Sequence, residues 1–132
     1  MDPKGRVSLP AAFRRGLENG RFILLQWEPA YLTLFPEEAW NRVQERLLEH
    51  RRKSAEAGRF LRRITSNAVE VSPDKQGRIL IPSWLQDAAE LEGSVLLVGA
   101  IDRVELWDPE NFQEATPDEP GEFRDVAAEI FG

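Results

Sequence analysis

Apolar and polar positions follow the same order twice along this chain. Setting Gly5 on Gly77, without any gap, brings charged residues, prolines and apolar residues of the two parts into register. The matched pairs are Asp2 and Asp74, Arg6 and Arg78, Val7 and Ile79, Pro10 and Pro82, Leu24 and Leu96, Leu25 and Leu97, and Phe35 and Trp107. Self-similarity of this kind indicates an internal duplication, so each element is predicted for both copies together.

Each copy predicts a glycine turn, a short strand, a short helix that begins after a proline, and two β-rich runs. The predicted elements are Val7 to Leu9, Ala11 to Leu17, Phe22 to Trp27 and Tyr31 to Phe35 in the first copy, and Ile79 to Ile81, Ser83 to Leu91, Val95 to Val98 and Val104 to Trp107 in the second. Ser66 to Val71 predicts an extra strand before the second turn, whereas only Met1 precedes Asp2. One such copy buries too little surface to be stable alone, so the two copies are expected to pack around a pseudo-two-fold axis.

The segment between the copies has apolar residues at three- and four-residue steps from Pro36 to Thr65, which predicts helix, with a break expected at Gly58. The fold class is therefore predicted as α+β. We expect a first repeat over residues 1–40, a helical connection over 41–65, a second repeat over 66–115, and an acidic, helical tail over 116–132.

Composition adds the cellular setting. The chain has 132 residues, 42% of them hydrophobic and none of them cysteine, which fits one globular domain in a reducing compartment. No apolar run approaches the roughly 20 residues that cross a bilayer. The sequence therefore predicts a cytoplasmic protein with no membrane association.

The net charge of −6 argues at first against a nucleic-acid partner, but the charge is unevenly distributed. Residues 1–63 hold 13 basic and 8 acidic side chains, a net +5, whereas residues 64–132 hold 4 and 15, a net −11. A basic surface is therefore compatible with the acidic average.

The repeated turn is the strongest candidate site. Gly5 and Gly77 suit a backbone position with positive φ, and an arginine, Arg6 or Arg78, follows each. The aspartate four residues earlier can orient that arginine by an ion pair. A single copy is most simply a hairpin turn with a local ion pair, but keeping the pattern twice in diverged repeats favours a shared function. The residues assigned to the turns are Asp2, Lys4, Gly5 and Arg6, and Asp74, Gln76, Gly77 and Arg78.

Other polar residues give weaker signals. Arg14 and Arg15 lie near the first short helix, and Gln86 takes the place of Arg14 in the second copy. The arginines between the copies are better explained as a solvated helix face. His50 is the only histidine, and no nucleophile motif, phosphate-binding loop or metal-ligand spacing is present, so no enzyme activity, metal or cofactor is predicted.

Taken together, D-x-K-G-R-x-x-x-P, then R-F-L-R-R-I-T-S-N-A-V-E-V with D-K-Q-G-R-I-L-I-P, and V-G-A-I-D-R-V-E-L-W-D resemble the MraZ family over nearly the whole chain. The resemblance implies a duplicated, swapped-hairpin β-barrel of the AbrB-like group. It also implies a nucleoid-associated transcriptional regulator that binds double-stranded DNA at repeated promoter boxes of the division and cell-wall gene cluster, as a ring of copies. The implied DNA contacts are Lys4, Arg6, Arg14, Arg15, Gln76 and Arg78, with Asp2, Gly5, Asp74 and Gly77 orienting them.

A second interpretation stays open. Antitoxins of similar fold neutralise a protein partner, and the acidic C-terminal segment is the candidate binding segment for such a role.

Overall fold

The structure is a computed structural model, and it describes residues 1–14, 20–116 and 120–132. The strands are β1 (Arg6–Ser8), β2 (Phe22–Leu25), β3 (Tyr31–Pro36), β4 (Val69–Val71), β5 (Arg78–Leu80), β6 (Leu96–Gly99) and β7 (Val104–Trp107). The helices are α1 (Ala11–Arg14), α2 (Glu37–Arg51), α3 (Ala55–Asn67), α4 (Ser83–Ala88), α5 (Pro109–Ala115) and α6 (Pro120–Phe131). After each glycine turn both copies have the same order of elements, a strand, a helix, two strands and a helix, as the repeat predicts.

Strands β1 and β5 form an antiparallel two-stranded ribbon at the centre of the duplication. Val7 pairs with Ile79, which is the residue matched to it in the repeat. The hydrogen bonds on either side are also equivalent, since Leu9 N donates to Gly77 O at 2.8 Å and Ile81 N donates to Gly5 O at 2.9 Å. A pseudo-two-fold axis therefore passes between Val7 and Ile79.

The other strands form a five-stranded antiparallel sheet in the order β4-β2-β3-β7-β6. At its middle β3 pairs with β7, and Thr33 lies opposite Glu105, again its own repeat equivalent. The same pseudo-two-fold axis relates β2 and β3 to β6 and β7, while β4 has no equivalent in the described part of the first copy. The expectation that the copies pack around such an axis therefore agrees with both strand pairings.

The main core lies between the ribbon and the sheet. The central pair of the ribbon, Val7 and Ile79, has its side chains on the inner face and is buried there together with Leu24, Leu34 and Leu106. Both copies supply residues to this cluster, so they share one main core. The strand pairings show two antiparallel sheets, and the closed AbrB-like barrel stays a prediction.

The second hairpin departs from the ungapped repeat. Leu24 pairs with Leu34, whereas Leu106, the residue matched to Leu34, pairs with Leu97. Leu97 therefore takes the place of Leu24, and the expected match between Leu24 and Leu96 is wrong by one residue. The hairpin connection in the second copy is one residue shorter, which shifts β6 along its partner.

The connection between the copies is a helical hairpin. Helix α2 packs Trp40 and Val43 against Phe35 on the face of the sheet away from the main core, and Ile64 of α3 completes this second cluster. The expected break at Gly58 is wrong: α2 ends at Arg51, and the side chain of Ser54 caps α3 by accepting a hydrogen bond from Ala57 N at 3.0 Å. A serine N-cap stabilises the start of a helix, and one glycine inside a helix costs only about 1 kcal/mol, so the helix begins after Ser54 and continues through Gly58.

The C-terminal helices follow the same symmetry only in part. Helix α5 stands where α2 begins in the first copy. Phe112 packs edge-on against Trp107 with ring centroids 5.5 Å apart, and the matched pair, Trp40 and Phe35, packs at a tilt with centroids 5.8 Å apart. Helix α6 instead exposes its large apolar side chains. None of the described helices combines the length and hydropathy needed to span a bilayer.

Candidate nucleic-acid interface

The two glycine turns have the same backbone geometry. Gly5 has a φ of 84° and Gly77 a φ of 77°, a region that favours glycine because other residues carry a Cβ that is strained there. Gly5 N donates to Asp2 O at 3.0 Å, and Gly77 N donates to Asp74 O at 2.9 Å. In each turn the hydrogen bond from the glycine N–H to the aspartate carbonyl reverses the direction of the chain, and the next residues form a strand of the ribbon.

The aspartate of each turn holds both the backbone and the arginine. In the first turn, Oδ1 of Asp2 accepts from the backbone N–H groups of Lys4 at 3.0 Å and Arg6 at 2.8 Å, and Oδ2 accepts from Nε of Arg6 at 2.7 Å. Asp74 makes the equivalent three bonds with Gln76 and Arg78, at 2.9, 2.9 and 3.0 Å. The orienting ion pairs expected from the sequence are thus present in both copies.

These bonds also fix the charge of the carboxylates. The backbone N–H of Arg6 is the main cause that lowers the pKa of Asp2 below its ordinary value, aided by the side chain of Arg6 and the backbone of Lys4. The backbone N–H of Arg78 lowers the pKa of Asp74 in the same way. Both aspartates are therefore ionised at neutral pH, and each turn contains a stable carboxylate–guanidinium pair.

The two arginines lie on one face of the ribbon. Val7 and Ile79 are buried in the core, so their neighbours along the strands face the other way. Arg6 lies opposite Leu80, and Arg78 lies opposite Ser8. The arginines are thus diagonal neighbours, a relation that places the two residues about 7–8 Å apart, and Nη1 of Arg78 lies 3.8 Å from Oδ2 of Asp2.

Arg14 and Gln86 connect each copy to the turn of the other. Nε of Arg14 donates to Leu9 O at 3.1 Å, and Nε2 of Gln86 donates to Ile81 O, the matched carbonyl, at 2.7 Å. Arg14 then lies over Gly77, where a methyl group would come within 2.9 Å of its Cζ atom, and Gln86 lies over Gly5 in the same way. We call these two interactions the reciprocal turn contacts.

The predicted site residues therefore fall into three groups. Lys4 and Gln76 are exposed beside their turns, and Arg14 is exposed while it contacts the second turn. Arg6 and Arg78 are part-buried, with 29% and 25% of their side-chain surfaces accessible. Arg15 lies outside the described residues.

Two residues of this surface were missed by the sequence analysis. Ser8 and Leu80 alternate with the arginines on the outer face of the ribbon, and Leu80 is 54% exposed. Successive side chains of a strand point to opposite faces, so the burial predicted for Val7 and Ile79 would have indicated that their neighbours Ser8 and Leu80 lie on the outer face. Within the described ranges, no group of three residues with metal-ligating side chains is close enough to hold an ion.

Known proteins similar to this chain agree with its duplicated architecture. A family described as "MraZ protein, putative antitoxin-like" matches it twice, over residues 1–63 and 64–129. The chain is similar to the transcriptional regulator MraZ of Pelotomaculum thermopropionicum, with 35% identity over 98% of this chain and 89% of that one. It is 36% identical to the protein of the same name from Leuconostoc citreum, over 96% and 88% of the two chains. For the Heliobacterium modesticaldum protein of that name the identity is 35%, over 98% and 90%. With both of its halves matched by one family and its relatives aligned almost end to end, this chain belongs to the MraZ family.

Proposed function

We propose that this chain is a sequence-specific DNA-binding transcriptional regulator whose contact surface is the outer face of the β1–β5 ribbon. The observation that carries the proposal is the placement of Arg6 and Arg78, each held by its own aspartate, on one solvent-facing side of a two-stranded ribbon. A two-stranded ribbon fits the major groove of B-form DNA, and arginine is the side chain that most often reads guanine there.

Each arginine keeps the atoms that this contact needs. In the described part of the chain only Nε of Arg6 and of Arg78 donates a hydrogen bond to an aspartate, and the terminal amino groups donate none, although Nη1 of Arg78 lies 3.8 Å from Oδ2 of Asp2. The carboxylate beside each guanidinium cancels most of its long-range attraction for phosphate. An oriented donor pair with little net charge suits a base edge better than the DNA backbone.

Exposed basic and polar side chains around the ribbon suit the phosphates. Lys4 and Gln76 lie in the turns, and Arg14 lies against the second turn. Arg15, next to Arg14 in sequence, is proposed for the same role. Contacts of this kind fix the position of a protein on the duplex while the base contacts select the sequence.

Reading a promoter needs more than one copy. Diagonal neighbours about 7–8 Å apart cover only two or three base pairs, which is too few to select a promoter. We therefore propose a ring of copies that binds direct-repeat boxes together, because linked weak sites gain about 10²- to 10⁴-fold in avidity. The proposed target is the promoter of the division and cell-wall gene cluster. The proposal places the protein in the cytoplasm at the nucleoid, with residues 1–40 and 66–115 as repeats of an AbrB-like swapped-hairpin barrel.

The test removes both arginines and keeps the fold. Arg6→Ala/Arg78→Ala should lower affinity for DNA from upstream of the protein's own gene by at least about tenfold, because each bidentate contact to guanine contributes about 1–3 kcal/mol. Arg46→Ala/Arg63→Ala removes the same charge from exposed positions of the helical hairpin and should leave specific affinity almost unchanged. Gel-shift titrations at fixed salt measure both. An unchanged affinity for the ribbon variant would refute the proposal.

A second candidate function has one observation in its favour. The acidic α6 exposes large apolar side chains, as a segment that binds a protein partner would. In this alternative the chain is an AbrB-like, antitoxin-like interaction module. A chain truncated after Thr116 keeps α5 against Trp107 and separates the two functions: a regulator keeps its affinity for a single box, whereas an interaction module loses its partner.

A further inference from the structure

Helix α6 has an apolar stripe that remains exposed among the described residues of the chain. The stripe consists of Phe123, Val126, Ala127 and Ile130, at the i, i+3, i+4 and i+7 positions that share one helix face. Phe123 is 76% exposed, Val126 52% and Ile130 68%. Apolar exposure on this scale on one helix face marks a surface that is covered by another molecule.

The helical hairpin has an apolar groove of matching character. This α2–α3 groove has a volume of about 800 Å³, and Leu47, Leu48 and Leu61 provide its apolar lining. Leu48, at its edge, is 47% exposed. A stripe at helical spacing on one surface and a groove between two helices on another are the two halves of helix-in-groove recognition.

The charges beside the two surfaces are mainly opposite. Arg51 and Arg62 line the groove, together with one carboxylate, Glu45, and the two arginines continue with Arg59 into the adjoining depression. Within the described ranges none of these three arginines has a carboxylate within 4.0 Å. Glu122 and Glu129 stand four residues before and three residues after Val126, so both lie along the same edge of the stripe.

We propose that α6 of one copy docks into the α2–α3 groove of a second copy of this chain. The inference rests on the oligomeric part of the proposed function. In the structure the stripe is exposed, so α6 does not fill the groove of its own chain. A contact between two different surfaces repeats head to tail and closes into a ring when the rotation between neighbours permits.

Two variants remove the two sides of this contact separately. Phe123→Glu/Ile130→Glu puts charges on the stripe, and Leu48→Glu/Arg62→Glu puts them in the groove; all four side chains are exposed, so the monomer fold is kept. The control, Arg124→Gln/Ala128→Glu, changes the net charge as much as the stripe variant does, but on the other side of α6. Sedimentation velocity and native mass spectrometry without DNA measure the mass, and far-UV circular dichroism checks the fold.

The expected masses distinguish this contact from others. Each variant alone is a monomer, the control assembles like the unmodified chain, and an equimolar mixture of the two variants forms a dimer. The mixture stops at the dimer because one variant supplies an intact groove and the other an intact stripe, while the remaining surfaces are blocked. A mixture that stays monomeric would show that the stripe of one copy does not dock into the groove of another, and either variant still assembled would place the interface elsewhere. Both results overturn the inference, as does an unmodified chain that is monomeric.

The same measurements are independent of the DNA proposal. Arg6→Ala/Arg78→Ala leaves both surfaces intact and should assemble normally while it loses specific DNA binding. The stripe variant should keep its affinity for a single box and lose at least about tenfold for several linked boxes, since avidity requires assembly. Failure of one proposal is thus visible without failure of the other.

Discussion

The reciprocal turn contacts predict a specific pattern of coupling between mutations. In Gly5→Ala, the added methyl group overlaps Nε2 of Gln86 and lies 3.1 Å from Ile81 O, and the residue must also keep a φ of 84°. Gln86 is the flexible member, so it moves away and gives up its 2.7 Å hydrogen bond to Ile81 O. Backbone strain and the loss of one hydrogen bond therefore both lower the free energy of unfolding of Gly5→Ala.

The magnitudes are estimated from these two causes. A residue with a Cβ in the left-handed region costs about 1–2 kcal/mol, and one hydrogen bond contributes about 0.5–1.5 kcal/mol. Gly5→Ala should lower the free energy of unfolding by about 2–3 kcal/mol, and Gln86→Ala alone by about 1 kcal/mol. The double variant loses the hydrogen bond only once, so its loss should be about 1 kcal/mol smaller than the sum of the two single losses.

Urea denaturation followed by circular dichroism measures this cycle, provided that the slope of free energy against urea stays constant. The matched control is Gly5→Ala/Arg14→Ala. Because Arg14 contacts Gly77 rather than Gly5, those two losses should add to within about 0.5 kcal/mol. Gly77→Ala reverses the pattern and should couple to Arg14→Ala alone.

Additive losses for Gly5→Ala with Gln86→Ala would show that Gln86 does not cover Gly5. Equal coupling of Gly5 to Arg14 and to Gln86 would show that the two turns respond as one unit. Either result refutes the crossed arrangement.

Two further predictions concern buried and charged groups. The hydroxyl of Thr33 is buried and has no hydrogen-bond partner among the described residues, so Thr33→Val should raise the free energy of unfolding by about 1 kcal/mol. Thr33→Ser keeps the hydroxyl and loses a methyl group, so it should lower the free energy of unfolding. Urea titrations of both variants measure these changes. The lowered pKa values of Asp2 and Asp74 stabilise the folded state above their ordinary value of 3.8, and this contribution is lost as the pH falls through the folded-state values. Asp2→Asn/Asp74→Asn should therefore flatten the acid side of the stability profile below about pH 4, and a profile as steep as that of the unmodified chain would contradict this.

The sequence predicted the parts of the fold whose causes are local. Positive φ at Gly5 and Gly77 follows from glycine's lack of a side chain, and the strands that follow each turn have the β-rich composition expected of them. The repeat itself indicated the pseudo-two-fold axis, because one copy alone buries too little apolar surface to be stable and two copies have to share one core.

Features that depend on distant parts of the chain were not predicted. The contacts of Arg14 with Gly77 and of Gln86 with Gly5 form only when the two copies pack, and spacing along the sequence does not reveal them. The shift of β6 follows from the length of a hairpin connection, which the ungapped alignment hid. The helix break moved from Gly58 to the residues before Ser54, since a side-chain cap fixes a helix start more strongly than one glycine interrupts a helix.

The difference between Arg14 and Gln86 gives the ribbon a polarity. A dimer of identical chains has the same two ends, and it can be turned around on a palindrome without any change. Here the cationic side chain of Arg14 lies against one turn and the neutral amide of Gln86 against the other, so turning the molecule around in the proposed complex would exchange the two side chains next to the DNA backbone. The two ends of the ribbon are therefore chemically different, and in the proposed DNA complex this difference would allow the protein to distinguish upstream from downstream.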